Sequence, residues 1–142
     1  MLSGKPVAYL CSSSMEPKEL IAHAAKISSK KCFVQLFADK PNLAVRLLPA
    51  YLNALLRERD CTMRSNSISM EFLLLASTSM NIKNAIRNYG ISSSNKFILF
   101  ATSEKIAKKF KDIGKVKVIK KLKLPLVTEE AAKVAAAELL EE

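Results

Sequence analysis

"SMEFLLLAS", residues 69–77, decides how the rest of the chain is read. Its positions 72–76 form an uninterrupted apolar run as long as any in the sequence, and serines close the quoted stretch at both ends. An apolar run of that length between polar stops predicts a strand buried on both faces. Glu71 breaks the pattern between Met70 and Phe72. Either it points to solvent from a strand face, or it is a buried carboxylate with a partner that neutralises it.

With a strand at 69–77, the segments on either side alternate in type. Residues 5–11 predict an opening strand and 12–15 a turn. Pro17 suits a first helical turn, where its missing N–H loses nothing. Leu20, Ile21, Ala24 and Ile27 continue that helix to about residue 28. Residues 32–38 form an apolar run of strand length. Asp39 and Pro41 then open a longer helix with Ala44, Leu47, Leu48, Tyr51, Leu52 and Leu55 on one face. Pro49 lies inside it, and a proline there removes a hydrogen bond and clashes with the preceding turn. A kink or break is expected near 46–48. Residues 57–69 are polar and irregular.

"NIKNAIRNYGI", residues 81–91, predicts a short helix with Ile82, Ala85, Ile86 and Tyr89 on one face. Lys83 and Arg87 sit four apart on the outside. Gly90 is placed to end the helix in left-handed geometry, with Ile91 capping back onto Ile86. A strand follows at 96–101. Ser103 caps a helix faced by Ile106, Ala107 and Phe110, and Gly114 stops it. Residues 115–119 alternate lysine with apolar residues, as a half-exposed strand does. Thr128 caps a last helix, whose Glu129 and Glu130 suit its positive end. The order of five strands and five helices predicts an α/β or α+β fold: one mixed-sheet domain over 1–142, flanked by helices. Periodicity leaves the strand order open.

Bulk composition narrows the function. About half of the 142 residues are hydrophobic (49%), enough for an ordinary core. No apolar run approaches the ~20 residues of a membrane span, and the opening residues lack a signal-peptide core. A cytoplasmic protein is expected, with the nucleus a further compartment if the source is eukaryotic. Cys11, Cys32 and Cys61 are odd in number and far apart, which fits reduced thiols better than a disulfide framework or zinc site. Net charge is +10 and uneven. Residues 105–123 hold nine lysines against one acid, Asp112, whereas 128–142 hold five glutamates and one lysine. A basic block implies an anionic partner or a solvated lysine face.

Catalytic patterns are missing from the sequence. The one histidine, His23, is mid-helix beside alanines and reads as packed or surface-lying. Gly4, Gly90 and Gly114 are scattered, and no phosphate-cradling loop, nucleophile elbow or metalloprotease motif occurs. The expectation is a non-enzyme with no cofactor, no metal and no small-molecule substrate. Nor do the strands carry the aromatic pairs of the common RNA platforms. Nucleic acid, if bound, would be held by lysine and arginine.

One resemblance gives these negatives a shape. Residues 64–101, "RSNSISMEFLLLASTSMNIKNAIRNYGISSSNKFILFA", resemble the PRPK-binding protein family, the small non-catalytic subunit of the KEOPS complex. The shared pattern is Ser69 and Glu71 before an apolar run, then Asn81, Ile82, Ala85 and Ile86, then the Tyr89-Gly90-Ile91 stop and an apolar strand. The resemblance implies a protein that binds a kinase-like ATPase subunit and supports its activity. It also implies recruitment of tRNA by its CCA tail for threonylcarbamoyl-adenosine modification. Partner binding would fall on Ile82, Ile86, Tyr89, Gly90 and Ile91, and tRNA binding on Arg46, Arg64, Lys83 and Arg87. Arg46 stands where many relatives carry a polar or histidine side chain. The competing expectation is a free-standing basic RNA-binding domain. A third, a small enzyme built on Glu71 or His23, would need a pocket joining them.

Overall fold

A computed structural model describes residues 5–79 and 81–125. Its elements run β1 (Val7–Ser13), α1 (Pro17–Ile27), β2 (Val34–Ala38), α2 (Ala44–Arg59), α3 (Ile68–Ser77), α4 (Ile82–Tyr89), β3 (Phe97–Ala101), α5 (Glu104–Ile113) and β4 (Val116–Leu122). The α+β class is the one expected from the sequence. The expected cap at Thr128 and last helix lie outside the described residues.

The four strands form one sheet in the order β2-β3-β1-β4. Every neighbouring pair is antiparallel rather than mixed. Registers are set by alternation: Tyr9 lies opposite Leu99, and Leu36 opposite the same residue from the other side. The β1–β4 pairing slips between Leu10 and Cys11, which face Lys120 and Val118, so Ile119 is an extra, bulged residue.

Contacts divide the chain into two compact units. One takes in the described residues up to Lys40 together with Tyr89–Leu122; the other includes Pro41–Asn88. In the first, one face of the sheet carries Val7, Tyr9 and Cys11 of β1, Leu36 of β2, and Phe97 and Leu99 of β3. Leu20 and Ala24 of α1, and Ile106, Ala107 and Phe110 of α5, complete that core. Residues of the opposite pleat, Ala8, Leu10, Phe37, Ile98 and Phe100, are buried as well. Burial pushes the Cys11 thiol up to about 12. The other cysteines are also free, Cys32 half-buried and Cys61 exposed.

Helix α5 starts as its sequence dictates: the Ser103 hydroxyl accepts the Ile106 N–H at 3.4 Å. Gly114 stops it, as expected. Gly114 has φ −84°, and the left-handed residue is the next one, Lys115, at φ 50°. Tight space favours glycine here. A Cβ would come within 3.0 Å of Leu20 Cδ2 and 3.2 Å of the Phe110 carbonyl oxygen.

The second unit corrects the reading of 69–77, which is helix α3 and not a strand. Ser67 caps it, accepting the Met70 N–H at 3.2 Å. Eight of its ten residues are buried. A helix apolar all round has no stripe to distinguish it from a buried strand over so few residues. It packs on α2, where Tyr51 meets Phe72 edge to face with centroids 6.0 Å apart. Of the kink or break expected near 46–48, the break does not occur: α2 runs on through Pro49. Burial of Leu47, Ala50, Tyr51 and Ala54 on its inner face offsets the one hydrogen bond that proline removes.

Candidate interaction surfaces

Glu71 is the most constrained polar residue of the helical unit. It lies in the first turn of α3 and is fully buried. Its Oε2 accepts a hydrogen bond from Arg57 Nη1, on a guanidinium that is itself only 3% exposed. Its Oε1 accepts the backbone N–H groups of Arg64 at 2.8 Å and Ser65 at 3.1 Å, and the Ser65 hydroxyl at 3.0 Å. Burial works against the charged form. The hydrogen bonds from Arg57, Ser65 and the Arg64 backbone outweigh it and hold the carboxyl below its ordinary value. The paired-carboxylate alternative is therefore the observed one. With both oxygens engaged, Glu71 ties the end of α2 and the loop at 60–67 to the start of α3.

Arg57 went unnoticed in the sequence. Its partner lies fourteen residues away, beyond any helical or strand period. Arg64 stands in the clamped loop, its Nε 3.7 Å from Glu71 Oε2. Structure thus brings Arg57 and Arg64 together on one carboxylate. Arg46 sits in the first turn of α2 and is half-buried.

Helix α4 presents its residues differently. The Asn81 side chain accepts the Asn84 N–H at 2.9 Å and starts the helix. Ala85 is its buried residue. Lys83 and Arg87 are exposed one turn apart and pair with no acid among the described residues. Ile82 is half-buried, whereas Ile86 is 51% exposed. Tyr89 is half-buried, with Lys40 Nζ 5.8 Å from its ring centroid. Gly90 forms an isolated antiparallel bridge with Phe37, and Ile91 belongs to the core of the sheet unit. Leu56 on α2 and Met70 on α3 are further exposed apolar side chains that periodicity did not single out. Both lie on helices whose other faces are covered.

The family model for kinase binding protein CGI-121 matches residues 44–140. The chain belongs to this family. No individual curated protein matches it. The match opens at Ala44, the first residue of α2, so every candidate residue from Arg46 to Ile91 lies inside the CGI-121 region. Strands β1 and β2 and helix α1 precede it. Among the described residues, no helix is long and apolar enough to cross a membrane, and no group of three or more acidic, histidine or cysteine side chains could hold a metal ion.

Proposed function

We propose that this protein is a non-catalytic subunit of a KEOPS-type assembly. It docks on a kinase-like ATPase subunit, supports that subunit's activity, and recruits tRNA by its CCA tail for threonylcarbamoyl-adenosine modification. Membership of a kinase-binding family is the observation that carries the reading. Helix α4 supports it locally. Ile86 offers an apolar side chain to solvent beside Lys83 and Arg87, the pattern of an anchor with charged neighbours. Those two cations contact phosphate in this reading, which positions tRNA without reading bases.

The test pairs two measurements. Pull-down with the kinase-like ATPase of the same cell should recover a stoichiometric complex. A gel shift should favour intact tRNA over tRNA lacking its CCA tail. Failure of the pull-down removes the assembly role. Equal affinity for both tRNAs would favour the second reading, a free-standing basic RNA-binding domain, for which the net charge of +10 speaks.

A further inference from the structure

We propose that the lysine-rich rim made by α5 and the outer strand β4 is a docking surface for the sugar-phosphate backbone of RNA. It takes only its ligand class from the function proposed above, and it uses none of Arg46, Arg64, Lys83 and Arg87.

Charge is the first observation. Residues 105–123 carry nine lysines and one acid, Asp112. The only other acid on these two elements is Glu104, and its carboxylate is already shared. Tyr9 donates its hydroxyl hydrogen bond to Glu104, and Lys111 Nζ and Lys121 Nζ lie 3.7 and 3.9 Å from its two oxygens. Lys111 also lies over the Tyr9 ring, 4.4 Å from its centroid. Those two lysines are anchored on the α5 side of the sheet.

Lys117 and Lys120 are placed otherwise. They oppose Ser12 and Leu10, two apart on β1, and so share the pleat face opposite Lys121, which opposes Tyr9. Both are exposed and pair with no acid among the described residues. Like charges held side by side on one strand face destabilise it until an anion neutralises them.

The strand geometry selects among anions. β4 ends the sheet, and its outer edge has no strand partner among the described residues. An acidic peptide adding a strand there would need a regular ladder. The bulge at Ile119 interrupts that ladder, and lysines guard the edge on both faces. Side-chain charge, not main-chain pairing, is what this edge offers. Lysine presents point charges without a fixed fork, and phosphates along a backbone accept them at any register. The one aromatic residue on α5 and β4 is Phe110, which is buried, so no base-stacking platform adds sequence preference.

The experiment uses the full chain and fluorescence anisotropy over a salt series, with a labelled tRNA and an unrelated duplex RNA. Three proteins are compared: wild type, Lys117→Glu/Lys120→Glu, and Lys18→Glu/Lys26→Glu, which makes the same charge change on the exposed face of α1. The β4 variant should weaken both RNAs alike, roughly tenfold or more near physiological salt, and flatten the log–log salt slope by about 2. The α1 variant should lose far less. Thermal melts establish that each variant is folded, and Lys117→Ala/Lys120→Ala replaces the reversal if it is not. Equal losses in the two variants would mean that net charge alone acts, and the inference falls. It falls also if wild type binds neither RNA at low salt, or if polyglutamate or anionic vesicles bind more tightly than RNA. Equal affinity for tRNA with and without its CCA tail leaves this surface standing while removing the tail-binding role.

Discussion

At the residue scale, Glu71 shows how one side chain converts sequence into a fixed loop. A buried ion pair is costly to desolvate, and breaking it by removing one partner leaves an uncompensated charge. Glu71→Gln should therefore cost about 3 kcal/mol, by leaving Arg57 buried and unneutralised. Glu71→Gln combined with Arg57→Met should cost less than the sum of the single changes. The pH dependence has a definite sign. Because the folded carboxyl sits below its ordinary value of 4.5, the unfolded chain binds the proton more tightly. The stability that Glu71 contributes is fully present above about 4.5 and is lost as pH falls through the lower, folded value. Urea unfolding from neutral pH downward should show the wild type losing stability in this window and Glu71→Gln with a flatter profile. Parallel profiles would show that the pair contributes no such linkage.

At the element scale, what the sequence revealed and what it hid have separate causes. Strands with alternating faces, and helices with an apolar stripe or a serine cap, were legible: α1, α5, β3 and β4 lie within a few residues of expectation. Helix α3 was not, because a run of Phe, Leu and Ala surrounded on all sides by protein carries no period. The decisive local signals were its ends. Ser67 caps the start, and at the other end Ser79 N–H reaches the Leu74 carbonyl at 3.0 Å and Thr78 N–H the Leu75 carbonyl at 3.2 Å. That pair of bonds is the Schellman stop, formed here around threonine rather than the usual glycine. Thr78 sits at φ 54°, where a β-branched residue is strained. Thr78→Gly should accordingly raise stability by about 1 kcal/mol, the relief of strain exceeding the extra chain entropy of glycine. Equal or lower stability in chemical denaturation would mean that the Thr78 hydroxyl, which donates to the Ser77 carbonyl at 2.7 Å, offsets the strain. The partners of the candidate site were hidden for a different reason. Arg57 meets Glu71 only through packing of α2 on α3, and no spacing along the chain encodes that meeting.

At the scale of the whole molecule, the chain separates residues that hold the fold from apolar residues left exposed. β2 and β3 pair although residues 39–96 intervene, so the α4 corner returns the chain to the sheet at Gly90, opposite Phe37. Two isoleucines on either side of that return have opposite fates. Ile91 is 9% exposed and lies in the sheet unit's core; Ile86 is 51% exposed. A carboxylate at Ile91 would be buried without a counter-charge, at a cost of about 4 kcal/mol or more, comparable with the total stability of many domains. Ile91→Glu should therefore unfold the protein, and any loss of partner binding would follow from that. Ile86→Glu places the same charge in water. It should leave the melting temperature within a few degrees of wild type and weaken capture of the kinase-like partner by tenfold or more, as removal of a central apolar anchor does, on the order of 2 kcal/mol. Circular dichroism melts and a titration of the partner separate the two effects. A folded Ile86→Glu protein that binds the partner as wild type does would move the docking surface off α4, and the exposed Leu56 and Met70 would be the next side chains to reverse.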